Sequence, residues 1–208
     1  MIRKQNKNGL TLIELLVAIA ILAVLSVGLY IAGDYAAKQA KIKQTQSTIE
    51  MLSAALEQYR DSNDCFPFIA YKTYKYTDLQ TKLQSILGGT VTVKVSTGPI
   101  ADYDNLYASD EMLYYYLNRN PASKKIIGSI NSSLITNKDY MKREYYINYG
   151  GGTPDYPLLH FVDAWKTPFR YTYVNSATQQ DNFPVITSAG PNRVFEPNGV
   201  YKDDITSR

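Results

Sequence analysis

The chain of 208 residues contains one cysteine, one histidine and one tryptophan. With Cys65 alone, no intramolecular disulfide can form, so an exported domain must be held by its core, a metal or neighbouring copies. Neither Cys65 nor His160 sits in a nucleophile motif, and no carboxylate pair stands out, so no enzyme is expected. His160, flanked by Leu159 and Phe161, reads as a packing residue. No repeat or low-complexity tract is present. Two local absences are more telling: residues 1–9 hold no acidic side chain, and residues 15–33 hold no charged one. The small-residue cleavage site that ends a secretory signal peptide's apolar core is also missing.

Formal net charge is +3, from 22 basic and 19 acidic side chains. The excess sits in Arg3, Lys4 and Lys7, leaving 19 of each sign from Leu10 onward. Basicity therefore belongs to the first nine residues, and nucleic acid is not an expected partner. Tyrosine is abundant, at 19 residues against 6 Phe, which suits half-buried surfaces.

The charge-free stretch 15–33 spans about 28 Å as a helix, close to the thickness of a bilayer's hydrocarbon core. Glu14 stands at its edge. A carboxylate in hydrocarbon costs about 2.5–3.5 kcal/mol on insertion scales, so it needs a partner or a function. A plain membrane anchor accounts for the apolar run and leaves Glu14 unexplained.

A short basic segment, Gly9, the apolar Leu10, then Glu14 and an apolar helix together resemble the class III leader of type IV pilins and pseudopilins. The resemblance implies cleavage between Gly9 and Leu10 by a prepilin peptidase, with N-methylation of the new amino terminus. Leu10 would be the first mature residue, where the family usually has Phe. It also implies that Glu14 pairs with the terminal amine of a neighbouring subunit. Such a pair would replace two isolated charges in hydrocarbon with one neutralised contact, favouring assembly and fixing register.

Beyond the span, Ile42, Thr45, Ile49, Leu52, Leu56 and Tyr59 recur at helical spacing, with Lys43, Glu50, Glu57 and Arg60 between them. One continuous helix is expected from about Leu10 to about Asp61. Asp61, Asn63 and Asp64 read as its C-terminus, since they lack the Gly and distal Glu of a calcium loop. A short helix over 77–87, a Gly88-Gly89 turn and a strand over 91–95 should follow, then a helix over 109–117. Residues 124–148 are ambiguous. Gly150-Gly151-Gly152 with Pro154 and Pro157 reads as a loop, lacking the setting of a phosphate cradle.

Residues 163–173 and 183–190 read as two strands. They resemble the C-terminal hairpin of the major pseudopilin of type II secretion, with Lys166 where that family has Gly and Asn192 where its final loop commonly has Asp. Many adhesive pilins instead close this region with a disulfide. The pseudopilin resemblance implies a calcium ion in the loop, with side-chain oxygens from Asn192, Asp203 and Asp204 and carbonyls from Ala189 and Val200. An exposed polar turn is the alternative.

The expected fold is α+β: a long N-terminal helix, membrane-spanning in its first half, packed on a small antiparallel-sheet head. The divisions are a cleaved leader (1–9), a transmembrane and assembly half-helix (10–33), an amphipathic half-helix (34–61) and the head (62–208). The resemblance implies a structural subunit of a type II secretion pseudopilus, anchored in the bacterial inner membrane with an extracytoplasmic head. Its partners would be other copies or related pilins, the peptidase and an inner-membrane assembly platform. Alternatives are a type IV pilus subunit for adhesion, motility or DNA uptake, or a binding module on a pilin stalk. Exposed tyrosines within 71–76 or 103–116 would favour that last reading; residues 69–161 otherwise carry no assigned role.

Overall fold

A computed structural model describes residues 12–69, 75–100, 106–150, 155–173, 183–195 and 203–207. Its contacts form two units, Met1–Ala40 and Lys41–Arg208. Helix α1 (Leu12–Asn63) runs through the position where they divide. In the first unit no proline interrupts it, and Gly28 and Gly33 are both helical. Residues 12–38 are all exposed, apolar ones included.

In the second unit, α1 buries Thr45, Thr48, Ile49, Leu52, Ala55 and Leu56, while Lys43, Glu50, Glu57 and Arg60 face solvent. The expected stripe is therefore the observed one, with Ile42 and Tyr59 half-buried at its ends. Burial of each leucine contributes about 1.5–3 kcal/mol. The helix stops where the Asp64 N–H donates to the Arg60 carbonyl over 2.7 Å, Asp64 having turned to φ 57°. The run 61–64 is thus a helix end, as its composition suggests.

Helix α2 (Tyr76–Leu87) starts with Asp78 Oδ2 accepting from the Lys75 N–H at 2.9 Å. It ends at Gly88, whose φ of 73° belongs to the left-handed region that glycine enters without strain. Strand β1 (Val91–Val95) then pairs antiparallel with β3 (Tyr145–Tyr149), from Val91 opposite Tyr149 to Val95 opposite Tyr145. On the other side of β3 lies β4 (Tyr156–Pro157). Pro157 is therefore in a short edge strand rather than a loop, a position where its missing N–H goes unneeded.

Helix α3 (Leu106–Arg119) exceeds the expected 109–117 at both ends. Helix α4 (Pro121–Ile127) follows at once, its first turn capped by Asn120 Oδ1, which accepts from Ala122 N and Ser123 N at 3.0 Å. A 3₁₀ turn (Ser132–Leu134) leads into β2 (Ile135–Thr136), which pairs with β5 (His160–Phe161). The ambiguous stretch 124–148 thus holds the end of α4, this turn, β2 and most of β3.

Strand β6 (Arg170–Thr172) pairs antiparallel with β7 (Val185–Ser188), and β8 (Ile205–Thr206) completes that sheet. The two expected C-terminal strands pair as a hairpin would, though each is shorter than its apolar pattern. The α+β core joins Leu52 and Leu56 of α1, Leu79 and Leu83 of α2, Met112 and Leu113 of α3, Phe161, Tyr171 and Ile186. Two polar contacts fasten α1 into it: Ser123 Oγ donates to the Ala55 carbonyl (2.7 Å), and Thr45 Oγ1 accepts from Ala164 N (3.2 Å).

Candidate assembly site and C-terminal loop

Helix α1 opens with Glu14 in its first turn, exposed, at the end where the helix dipole favours a negative charge. Around it Leu12 is 81% and Ile13 70% exposed, and Leu29, farther along, is 74%. An aqueous protein does not leave so long an apolar surface uncovered. The helix contains a stretch long and apolar enough to cross a membrane. A Cβ added at Gly28 or Gly33 would meet nothing within 4 Å, so a second helix can approach the backbone there. Gly9 and Leu10, the expected cleavage pair, lie outside the described residues.

In the head, Asp163 organises the turn before β6. Its buried carboxylate accepts from Trp165 N and Thr167 N through Oδ1, both at 2.9 Å, and from Ser188 Oγ through Oδ2 at 2.7 Å. Burial raises its pKa against these bonds. Asp163 thereby ties the turn to β7. Sequence reasoning missed this role, although an Asp two residues before Trp and four before Thr is the spacing of a side-chain-closed turn. Lys166 within it adopts φ 68°, in the left-handed region that glycine enters without strain.

The loop after β7 brings two of the expected metal ligands together. Asn192 Nδ2 donates to Asp203 Oδ1 at 2.8 Å, and Asn192 N donates to Asp203 Oδ2 at 3.2 Å. Asn192 Oδ1 accepts from Val194 N at 2.7 Å. Asp204 is half-buried beside Asp203, Ala189 is fully buried, and Val200 lies outside the described residues. Gly190, at φ 64°, lets the chain pass so close that an added Cβ would sit 2.1 Å from the Asp203 carbonyl oxygen. Among the described residues no cluster of three His, Cys, Asp or Glu side chains is positioned for a metal. The oxygens that do converge close the loop by hydrogen bonds.

Among the described residues, the tyrosines whose exposure bears on a display function are buried or half-buried. Tyr76 is 2% exposed and stacks on Tyr145 at 5.0 Å, while Tyr107, Tyr114, Tyr115 and Tyr116 are half-buried against the core. Tyr71, Tyr74 and Tyr103 lie outside the described residues. Sequence reasoning also missed Asp110 and Glu111, both fully buried on α3 against His160 and the backbone of Phe161 and Phe169.

Residues 4–30 match the family model for the prokaryotic N-terminal methylation motif. No curated protein and no solved structure matches the chain. The match takes in Lys4, Lys7, Gly9, Leu10, Glu14 and the apolar start of α1; a motif of this type indicates a type IV pilin-like subunit and implies a prepilin peptidase as partner. That class is structural rather than enzymatic. The motif and the apolar helix are together consistent with membrane anchoring.

Proposed function

We propose that this chain is a pseudopilin of a type II secretion system, polymerising through the first half of α1 to support protein export. Prepilin peptidase would cut between Gly9 and Leu10, and residues 10–33 would hold the mature subunit in the inner membrane until assembly. The new amine of Leu10 and the carboxylate of Glu14 would then form the contact between neighbours. The observation that carries this reading is Glu14 in the first turn of α1, directly ahead of the charge-free, exposed stretch 15–33, within the match to the methylation motif.

Supporting the pseudopilin over a disulfide-closed adhesive pilin are the single cysteine and the 163–190 segment, whose strands β6 and β7 pair. Packing of Tyr76 and Tyr107 against the core counts against a display surface built from those rings. Calcium belongs to the proposal as well: Asp203, Asp204 and Asn192, with carbonyls of Ala189 and Val200, are the oxygens that would hold it. The ion would supply a charge-neutralising crosslink between the two arms of the loop.

The deciding experiment places the gene in cells that either possess or lack a prepilin peptidase. Mass spectrometry of the amino terminus should find methylated Leu10 with the peptidase and Met1 without it. Co-purification with a type II assembly platform, rather than a pilus platform, separates secretion from the pilus alternative.

A further inference from the structure

Among the described residues four non-glycine positions have left-handed backbone: Asp64, Lys142, Lys166 and Arg193. Asp64 ends a helix. The other three are cations, at φ 62°, 68° and 60°, and all three line one cavity of about 580 Å³ in the head. Lysine and arginine are disfavoured in this region, where glycine or asparagine would relieve the backbone. Three separate turns thus bring residues of the same charge to the wall of one cavity. Each of these turns is closed by its own hydrogen bonds, from Lys142 N to the Asp139 carbonyl, Lys166 N to the Asp163 carbonyl and Arg193 N to the Gly190 carbonyl, so the backbone holds all three cations in place.

The charge there is largely uncompensated. Lys166 Nζ donates to the Ser133 carbonyl at 2.5 Å, and none of the three cations makes an ion pair among the described residues. Burial raises the pKa of Asp163, and Arg193 opposes this only weakly from nearby, that carboxylate being already bound to Ser188 and two backbone N–H groups. Lys138, also on the wall, is paired with Glu144 at 3.0 Å. The one carboxylate lining the cavity, Asp139, is taken up by Arg143 at 2.7 Å and is 3% exposed. Ser132, Thr136 and the exposed Tyr140 also line it, beside the apolar Ile135, Val162 and Pro168.

We propose that this cavity binds a polyhydroxylated anion, a sugar carrying a carboxylate or phosphate, through Lys142, Lys166 and Arg193. The volume suits one or two sugar rings. The cations supply charge-assisted bonds to the acid, Ser132 and Thr136 pair with ring hydroxyls, and Tyr140 offers an apolar face to a ring. This site is independent of filament assembly through α1.

The test is calorimetric titration of the full-length chain in detergent micelles. Probes are a galacturonate disaccharide, glucose 6-phosphate, the neutral galactose disaccharide, inorganic phosphate and a short single-stranded DNA. The two acidic sugars distinguish the source of the anion, and at least one should bind at least tenfold tighter than the neutral sugar or phosphate. Changing Lys142, Lys166 and Arg193 together to Gly should abolish that preference while leaving the melting temperature equal or higher, because the strain is released. The corresponding triple change to Asn, which also tolerates this backbone, should behave alike. Absence of acidic-sugar binding, binding undiminished in both triple variants, or tighter binding of phosphate or DNA than of either acidic sugar would overturn the proposal.

Discussion

His160 Nδ1 lies 3.8 Å from Glu111 Oε1, with both side chains wholly buried. Tyr76 Oη donates to the same carboxylate oxygen at 3.5 Å, and the Tyr107 ring meets the imidazole edge-on at 5.2 Å. Burial dominates the titration of this group. It pushes Glu111 and Asp110 well above the usual carboxylate range and holds His160 down to about 3, even though Asp139 favours the imidazolium. The fold therefore favours the neutral form of all three.

Opposite pH slopes follow. The raised carboxyls keep protons that the unfolded chain releases, so their contribution to stability is full below about pH 4 and fades as pH rises toward their folded values. His160 does the reverse: the unfolded imidazole takes up a proton below about pH 6.5, and stability is lost from there down to about pH 3. Glu111→Gln should therefore flatten the decline on the alkaline side, and His160→Gln the decline on the acid side. Melting temperature against pH for the three proteins reads this directly. Parallel curves would mean that burial does not control these groups.

If prepilin peptidase cuts between Gly9 and Leu10, the smallest residue flanks the bond and lets the enzyme approach it closely. Gly9→Leu should leave the full-length precursor in the membrane, with Met1 as the amino terminus by mass spectrometry. Cleavage of that variant at the normal position and rate would remove glycine from the recognition.

Glu14→Ala should yield a processed, membrane-inserted subunit that assembles poorly, by tenfold or more in filament yield. Removing a carboxylate from hydrocarbon makes insertion easier, by roughly 2.5–3.5 kcal/mol. A loss confined to assembly therefore isolates the pairing role. Filament yield equal to the parent would eliminate it.

Gly190→Ala places a methyl group where the Asp203 carbonyl stands, 2.1 Å from its oxygen, at a φ of 64° that alanine rarely adopts. The strained backbone alone costs about 1–3 kcal/mol, and the clash adds to it. Denaturant unfolding should show a drop at least that large, while Gly98→Ala, strained at φ 77° but with open space around it, should cost less.

If calcium binds the final loop, a ligand at a hundredfold excess over its dissociation constant adds about 2.7 kcal/mol to stability. Chelator should then lower the melting temperature, and calcium rather than magnesium should restore it. Asp203→Ala with Asp204→Ala should remove the response. A chelator-insensitive melt would assign the loop to the Asn192–Asp203 hydrogen bonds alone.

Elements that declare themselves locally were legible in the sequence. The alternation of Val91, Val93 and Val95 marks β1, two glycines mark the end of α2, and the spacing from Ile42 to Tyr59 marks the buried face of α1. Helix α4 was not, because its seven residues depend on the Asn120 cap and on contact with α3. Nor could periodicity place Asp110 and Glu111 inside. Residues 108–113 of α3 are all buried, since α2, α4, β5 and β6 surround the helix and polar positions go in with the rest. The cationic cavity was invisible for another reason. Lys142, Lys166 and Arg193 are far apart in sequence and meet only when three turns fold together.

Thr45 and Ala164, joined by one hydrogen bond, are 119 positions apart in the chain. At a synthesis rate of about 5–20 residues per second, the face of α1 that carries Thr45 waits on the order of ten seconds for the backbone that will cover it. Tyr171, whose hydroxyl donates to the Pro67 carbonyl 104 positions earlier, imposes a similar delay. The head thus closes over long loops, a topology that folds slowly and leaves an apolar stripe uncovered meanwhile. For the nascent chain, timing is the hazard: whatever shields Ile49, Leu52 and Leu56 in that interval governs how much of the protein escapes aggregation.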